Sequence, residues 1–361
     1  QQKNIIAIDI PTGILADTGE SVNIFVKARE TISFGFPKCG HYLSEGFSAT
    51  GKLSIYDIGQ IRNLTGHPKT EDLYQIISDD ITQLLKNSRE SVEANKYSRG
   101  QVLVYGGSEN YTGAALLSAN AALSCGAGIV KLMYNSKISN SMTRFMEGID
   151  IPIKSKSSEL TETEYSDMES YFKNSDCMLI GPGLSISRKS LKLTNKILRN
   201  YKGKCIIDAG ALAAIDDYDS NGFESTPNQS ILTPHYGELS KIININVDEI
   251  RNNVVKILLE ISKKLYSRIL ILKGPNTIIV NGDGELFFII NGDKKLATAG
   301  TGDILAGMIA SYVSRGHPII EAAIIGAYHH AECSNLIDKS NIIASELLDV
   351  IGVVKLDQLK K

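Results

Sequence analysis

The stretch Thr298-Ala-Gly-Thr-Gly-Asp-Ile-Leu-Ala-Gly307 places two glycines and an aspartate directly before an apolar, helix-forming run. The apolar positions after it follow an i, i+1, i+4, i+5 pattern: Ile304, Leu305, Met308, Ile309, Tyr312 and Val313. This spacing predicts a helix of about Asp303–Ser314, with Asp303 as its N-cap or first residue. The small residues Ala306, Gly307 and Ala310 predict that a neighbouring element approaches this helix closely.

Two interpretations of Gly300-Thr301-Gly302-Asp303 are open from this stretch alone. In the first, the glycines form a turn and Asp303 only caps the helix. In the second, the amides bind phosphate at the helix N-terminus, and Asp303 removes a proton from a hydroxyl that attacks a phosphoryl group. The loop is not a Walker A motif, because its spacing differs and no lysine follows the second glycine.

Composition excludes several classes of protein. The 361 residues are 43% hydrophobic and 22% charged, with a net charge of −2, as in ordinary globular proteins. No basic run favours nucleic acid or an anionic membrane, and no apolar stretch reaches the roughly 20 residues of a membrane span. The five cysteines are far apart without a CxxC pair, which favours a reducing compartment over a disulfide framework or a zinc site. We therefore expect a cytoplasmic protein with no nucleic-acid or membrane partner.

Short apolar runs alternate with helical patterns along the chain, which is typical of an α/β protein with a parallel sheet. The predicted strands are Asn4–Ile8, Thr31–Phe34, Lys52–Asp57, Gln101–Tyr105, Gly128–Leu132, Cys177–Ile180, Lys204–Ile207, Ser230–Thr233, Arg268–Leu272, Thr277–Val280 and Glu285–Ile290. Further helices are predicted over about Glu71–Asn87, Ala114–Cys125 and Ile319–Ile337. The polar stretch Arg62–Thr70 reads as a linker. The chain starts without Met or a signal-peptide layout, and we interpret this start as lying inside a domain.

Four more loops follow predicted strands, where open α/β sheets carry ligand-binding loops. They are Gly106-Gly-Ser-Glu-Asn-Tyr-Thr-Gly-Ala114, Gly181-Pro-Gly-Leu184, Thr233-Pro-His-Tyr-Gly-Glu238 and Lys273-Gly-Pro-Asn-Thr277. Each has an alternative as a plain turn, and His235 with Glu238 has an alternative as surface or helix-cap chemistry. Asp208 either orients a ligand or caps a turn, and His329 and His330 are interpreted as satisfied helix-face histidines. Together the five loops predict a cleft for a large phosphorylated ligand.

The order and spacing of these motifs resemble the ADP-dependent NAD(P)H-hydrate dehydratases of the ribokinase-like superfamily. The resemblance covers 75–361 and implies a three-layer α/β/α domain. Residues 1–62 resemble the carboxyl-terminal part of an NAD(P)H-hydrate epimerase domain, which is a partial Rossmann-like α/β domain. The motifs carrying this second resemblance are Ala7-Ile-Asp-Ile-Pro-Thr-Gly13, Pro37-Lys38 and Ser54-Ile-Tyr-Asp-Ile-Gly59. A linker over 63–74 would join the two domains.

The resemblance implies repair of hydrated nicotinamide cofactors. The dehydratase would convert the S form of NADHX or NADPHX to NAD(P)H, with ADP as phosphoryl donor, Mg²⁺ as cofactor, and AMP and phosphate as products. Asp303 would be the catalytic base, and the amides of Gly300, Thr301 and Gly302 would form the anion hole. The positions that match ADP/AMP-binding residues are Lys273, Gly274, Pro275, Asn276, Thr277 and Gly302. Those that match hydrate-binding residues are Ala114, Gly183, His235 and Asp303.

In the epimerase-like segment, Asp9 matches a hydrate-binding acid and Thr12 a K⁺ ligand. The resemblance implies R/S epimerisation in the intact first domain, and we expect little or none from this chain as it stands. We also expect a homo-oligomer. The chain departs from the dehydratase pattern at Gly210, where Asp208-Ala-Gly210 replaces Asp-Ala-Asp, and at Asp293, where the family usually has asparagine.

The alternative function is that of a ribokinase-like kinase for a small molecule such as a vitamin precursor. Such a kinase would share the fold and the Gly-Thr-Gly-Asp loop but would release a phosphorylated product. The Lys273-Gly loop and Thr233–Glu238 favour the dehydratase. A non-catalytic binding module is another alternative, which the intact Asp303 disfavours for the second domain.

Overall fold

The computed structural model describes residues 4–58, 73–76, 78–87, 95–142, 147–215 and 218–356. The chain divides into two compact units, one formed by 1–72 with 245–261 and the other by 73–244 with 262–361. Residues 63–72 of the predicted linker lie outside the described part. Within the described residues, no helix combines the length and the apolar character that a membrane span needs.

The second unit is built on one ten-stranded sheet. Its strands are β4 (Leu73–Gln75), β5 (Gln101–Tyr105), β6 (Ile129–Asn135), β7 (Ile149–Ile153), β8 (Cys177–Ile180), β9 (Lys204–Ile207), β10 (Ser230–Leu232), β11 (Ile269–Leu272), β12 (Thr277–Val280) and β13 (Leu286–Ile289). Their order across the sheet is β4-β13-β12-β11-β10-β9-β8-β5-β6-β7. All neighbours pair in parallel except β12, which is antiparallel to β11 and to β13. This topology places the carboxyl ends of the central strands along one edge.

The central strands are buried on both faces. Every residue of β8 and of β11 is buried, as expected for parallel strands covered by helices on two sides. The α/β prediction is therefore confirmed, and β5, β8, β9 and β12 have the predicted bounds. The sequence did not predict β7, an edge strand that contains Pro152, a position where a missing N–H is tolerated.

In the described part of this unit, nine helices surround the sheet or extend the loops. They are α2 (Ser78–Asn87), α3 (Thr112–Ser124), α4 (Tyr165–Phe172), α5 (Arg188–Asn200), α6 (Tyr218–Asn221), α7 (Tyr236–Ile243), α10 (Thr301–Ser314), α11 (Ile319–Leu336) and α12 (Ala344–Ile351). The helix predicted from Glu71 begins only at Ser78, because Leu73–Gln75 instead pairs with β13 as an edge strand. Tertiary pairing therefore overrides the helical pattern at this position.

Helix α10 lies at the centre of the unit. It contacts α3, α11, β5, β8 and β9, and its buried positions include the polar Ser311 and Ser314. All residues of the predicted apolar pattern are buried, and the helix is covered on its other sides as well. The predicted close approach is confirmed: a Cβ at Gly307 would lie 2.2 Å from the Ser118 carbonyl oxygen on α3.

The first unit contains a parallel three-stranded sheet in the order β1 (Ile6–Ile8), β2 (Glu30–Phe34) and β3 (Lys52–Tyr56). Helix α1 (Ser44–Ala49) precedes β3, and α8 (Val247–Asn252) belongs to the same unit. The Ser44 hydroxyl donates to the Arg251 carbonyl, 3.3 Å away, although the two residues are far apart in the chain. Helix α9 (Val254–Ser262) follows α8. All three strands predicted for this segment are present with slightly shifted bounds.

Candidate active site

A cavity of about 790 Å³ opens at the carboxyl edge of the ten-stranded sheet. Its size lies within the usual range for small-molecule sites. Three of the predicted strand-end loops, those after β5, β8 and β10, supply lining residues, and so does the start of α10, whereas the Lys273–Thr277 loop does not. The four positions predicted to bind the hydrate are all present in the lining: Ala114, Gly183, His235 and Asp303. The structure therefore brings together residues that are almost two hundred positions apart in sequence.

Two of the loops touch each other directly. The Gly107 amide donates to the Pro182 carbonyl, 2.9 Å away. A Cβ at Gly183, whose φ is +69°, would lie 2.1 Å from the Tyr111 carbonyl oxygen. Only glycine allows this approach. The contact holds the loop after β5 against the loop after β8 at the cavity wall.

The start of α10 differs in detail from the prediction. Gly300 is the N-cap at φ +93°, so Thr301 is the first helical residue and Asp303 the third. The Thr301 hydroxyl donates to the carbonyls of Leu296 and Thr298, at 2.8 and 2.9 Å, and holds the preceding turn. Asp303 is thus neither the N-cap nor the first residue. Its carboxyl lies in the first turn, where amides lack intrahelical acceptors and the helix dipole attracts anions.

The carboxyl group of Asp303 has unusual proton affinity. Burial is the largest cause that raises its pKa, and the negative charges of Asp208 and Glu238 raise it further. The positive charge of Lys273 lowers it, and the resulting pKa is about 7. A carboxyl with a pKa near neutrality is well matched to accept a proton from a substrate hydroxyl. The cavity lining therefore includes a side chain with the properties of a general base.

Asp208 and Lys273 form a buried ion pair next to this carboxyl. Lys273 Nζ lies 2.7 Å from Asp208 Oδ1, and the Thr233 hydroxyl donates to the same oxygen at 2.6 Å. Burial by itself would lower the pKa of Lys273, but Asp208, Glu238 and Asp303 together raise it above its ordinary value. Lys273 is therefore a permanent cation among three carboxyl groups.

His235 and Glu238 form a capping box at the start of α7. The amides of Gly237 and Glu238 donate to His235 Nδ1, and the His235 amide donates to Glu238 Oε2 at 2.9 Å. The cap interpretation is thus correct, and both residues also line the cavity. The two interpretations offered for this pair were not exclusive.

The predicted nucleotide loop Lys273–Thr277 connects β11 to β12. The Lys273 amide donates to the Pro234 carbonyl, 2.8 Å away, which ties this loop to the one before α7. Gly274 packs against the ring of Tyr236, since a Cβ there would lie 2.8 Å from Tyr236 Cε2. Asn276 is buried. This loop meets the Gly300–Gly302 turn where the Lys273 side chain reaches Gly302: a Cβ at Gly302 would lie 3.4 Å from Lys273 Nζ.

The two departures from the family pattern have local structural correlates. A Cβ at Gly210 would lie 2.5 Å from the Leu184 carbonyl oxygen, so a side chain at this position would clash with the loop after β8. Asp293 caps a short 3₁₀ helix, Lys294–Leu296, by accepting the Lys295 amide at 2.9 Å. Asp293 thus has a structural role in the turn that precedes α10.

Two residues near the site had little or no signal in the sequence. His330 on α11 is buried, and its pKa is lowered to about 4, chiefly by burial, with the backbone of Thr301 opposing the shift. Its Nε2 has no hydrogen-bond partner in the described part of the chain, so the satisfied-histidine interpretation is correct only in part for His330. It is correct for His329, which contacts Tyr312 Oη at 2.9 Å and the Ile351 carbonyl at 3.0 Å. Glu159 also lines the cavity and accepts the hydroxyl of Ser185.

The first unit contains a second aspartate–lysine pair. Asp9 follows β1 at φ +69°, its carboxylate is paired with Lys38, and its carbonyl lies 2.7 Å from His41 Nε2. Lys38 Nζ also donates to the Ser33 hydroxyl at 3.1 Å. Thr12 is exposed, and its carbonyl accepts the Val26 amide at 3.0 Å. Asp9 and Thr12 thus lie three residues apart in the loop after β1.

Comparison with protein families gives two matches. Residues 102–354 match the model described as NAD(P)H-hydrate dehydratase, and residues 1–40 match the model described as YjeF-related protein N-terminus. A bifunctional NAD(P)H-hydrate repair enzyme of Dictyoglomus turgidum is 30% identical over 360 residues, covering 97% of this chain and 68% of the relative. The repair enzyme of Escherichia coli is 27% identical over 342 residues, covering 92% and 61%. The chain spans about two thirds of the length of these curated relatives.

Solved structures share the fold. A ribokinase-like superfamily protein of Enterococcus faecalis superposes with a TM-score of 0.67 at 21% identity, covering 80% of this chain and 97% of that one. An ADP/ATP-dependent NAD(P)H-hydrate dehydratase of Bacillus subtilis, co-crystallised with ATP and Mg²⁺, superposes with a TM-score of 0.63 at 23% identity, covering 79% and 97%. The fold, the cavity and the glycine-bounded start of α10 define a ribokinase-like α/β enzyme. Within that class, the chain belongs to the NAD(P)H-hydrate dehydratase family.

Proposed function

We propose that this chain dehydrates the S form of NADHX or NADPHX at the cavity beside α10, with ADP as phosphoryl donor. The supporting observation is the position of Asp303, which lines the cavity, lies in the first turn of α10 and has a pKa of about 7. A carboxylate there takes the proton of the hydrate's hydroxyl as its oxygen bonds to the terminal phosphorus of ADP. The bond from that phosphorus to the bridging oxygen breaks, and AMP leaves.

We expect the amides at the start of α10 and the Lys273 ammonium to stabilise the negative charge that develops on the transferred group. The phosphorylated hydrate then loses phosphate and one ring proton, which restores the dihydropyridine. Phosphate is a much better leaving group than hydroxide, and this explains why a phosphoryl donor is consumed in a dehydration.

The nucleotide is expected to carry Mg²⁺ into the site. Among the described residues, no group of three or more His, Cys, Asp or Glu side chains is arranged to hold a metal ion. Mg²⁺ commonly keeps water and substrate-phosphate ligands instead of an all-protein cage, so the side chains present fit an ion held by the nucleotide. ADP binding at 273–277 is supported by the contact between Lys273 and the start of α10.

Several sequence predictions remain proposals. They are the domain limits 1–62, 63–74 and 75–361, the hydrate contact of Asp9, a K⁺ ion at Thr12, a homo-oligomer and a cytoplasmic location. The oligomeric state is measured directly by light scattering on the purified chain. K⁺ at Thr12 is tested by comparing K⁺ with Na⁺ as stabilising ions for the wild type and for Thr12→Val.

The test of the main function is an assay with S-NADHX, ADP and Mg²⁺, followed by the absorbance of NADH. We expect NADH, AMP and phosphate in equal amounts. A stable phosphorylated product without NADH would instead support a kinase, and the absence of any turnover would refute the dehydratase.

A further inference from the structure

The buried cluster beside Asp303 contains a group with no assigned role. Asp208 ends β9, is 1% exposed, and accepts hydrogen bonds from Lys273 and Thr233 on the same oxygen, at 2.7 and 2.6 Å. These partners come from the ends of β11 and β10, the next strands across the sheet. Three consecutive strand ends therefore converge on one carboxylate oxygen.

The position of the Lys273 ammonium follows from this arrangement. Its side chain is 19% exposed, and Nζ lies 3.4 Å from the point where a Cβ on Gly302 would be. An ammonium on a flexible four-carbon stem has no preferred direction of its own. Asp208 restrains it over the first turn of α10, where amides already favour an anion.

We propose that Asp208 is the positioning residue of the phosphoryl-transfer site, because it holds the Lys273 ammonium over the first turn of α10 to receive a phosphate of the nucleotide. The inference rests on the proposed function and extends it to a residue that contacts neither substrate nor nucleotide itself. Thr233 serves the same arrangement by restraining the Asp208 carboxylate through its hydroxyl.

The charges around this cluster predict a second effect of Asp208. Three charged groups act on the Asp303 carboxyl: Asp208 after β9, Lys273 after β11 and Glu238 on α7. His330 on α11 faces Lys273. Asp208 is the largest contributor after burial to the raised pKa of Asp303. Removing its charge while keeping its shape lowers that pKa, so the ionised, active form of Asp303 persists to lower pH.

The experiment compares wild type with Asp208→Asn, which keeps the volume and removes the charge. We expect the affinity for ADP, measured by calorimetry without the hydrate, to fall about tenfold or more, because an ammonium held by a charged partner is released. In the NADH assay, KM for ADP rises, and the acid limb of the kcat/KM profile moves to lower pH. If neither the ADP affinity nor the pH of the acid limb of the kcat/KM profile changed, the proposal would be overturned, even if the variant were less stable.

Thr233 supplies a pair of variants that separates positioning from packing. Thr233→Val keeps the shape without the hydroxyl, whereas Thr233→Ser keeps the hydroxyl. We expect the valine variant to lose ADP affinity in the same direction as Asp208→Asn and the serine variant to retain it. Equal loss in both would contradict the positioning role.

Asp176→Asn is the control for removing a carboxylate from this unit. Asp176 precedes β8 at the opposite end of the strands and accepts the Gln101 amide at 2.8 Å. We expect the ADP affinity and the pH profile of Asp176→Asn to match those of wild type. A loss of ADP affinity as large as that of Asp208→Asn would contradict the proposal. If the wild type binds ADP but forms no NADH, the proposed function fails, while the calorimetric comparison still decides the role of Asp208.

Discussion

Two aspartate–lysine ion pairs within the described residues each contain an aspartate at the carboxyl end of a parallel strand. In the ten-stranded sheet, the side chains of Asp208 and Lys273 are 2% and 19% exposed. In the three-stranded sheet, those of Asp9 and Lys38 are 48% and 28% exposed. Water screens the second pair and is largely excluded from the first. The same two residue types are therefore expected to have different energetic and chemical consequences.

The largest expected effect concerns the carboxyl group that the buried pair influences. We predict that Asp303→Asn lowers kcat about 10²- to 10⁴-fold, the usual contribution of a general base. The NADH assay measures this effect. Wild-type kcat/KM should rise with pH to a plateau above about 7, since Asp303 must lose its proton to act. Activity of the variant within a factor of two of wild type would remove Asp303 from the mechanism.

Breaking the buried pair should have the largest effect on stability. We predict that Lys273→Met lowers the free energy of unfolding by about 3–5 kcal/mol, because the Asp208 charge is left buried without its cation. Urea unfolding measures this change. The same variant should lose ADP affinity. A loss of stability no larger than that of Lys38→Met would show that burial does not distinguish the two pairs.

A smaller, pH-dependent effect on stability follows from Asp303. Its folded-state pKa of about 7 lies above the ordinary value of 3.8, so its contribution to stability is complete below about pH 4 and is lost as pH rises through 7. We predict that Asp303→Asn raises the melting temperature relative to wild type at pH 8 and leaves a smaller difference at pH 5. Equal shifts at both pH values would show that Asp303 is not protonated in the fold near neutrality.

The smallest effect is expected at the exposed pair. We predict that Lys38→Met changes the free energy of unfolding of the first unit by no more than about 1 kcal/mol, as is usual for ion pairs in contact with water. The change in the free energy of unfolding should be smaller still in high salt. Lys38→Arg is the matched variant that keeps the charge, and it should be indistinguishable from wild type in the same urea titration.

Much of the fold follows from local sequence patterns. The apolar runs at Gln101–Tyr105, Cys177–Ile180 and Lys204–Ile207 have the predicted bounds because fully buried strands are almost continuously hydrophobic. The three-residue strand Leu73–Gln75 was missed since its pairing with β13 depends on a segment more than two hundred residues away. The start of α10 was displaced by two residues because the Thr301 hydroxyl bonds to Leu296 and Thr298, which no propensity describes.

The candidate site divides in the same way. The sequence by itself determined which loops end strands, and so placed Ala114, Gly183, His235 and Asp303 at one edge of the sheet, where the structure brings them into one cavity. Only the tertiary structure decided that Asp208 pairs with Lys273, 65 positions further along the chain, and that His330 lies behind Thr301. The proton affinity of Asp303 also belongs to the tertiary structure. It depends on how much water the packed elements exclude and on charges contributed by three other segments, and neither quantity is encoded in the four residues Gly300-Thr301-Gly302-Asp303.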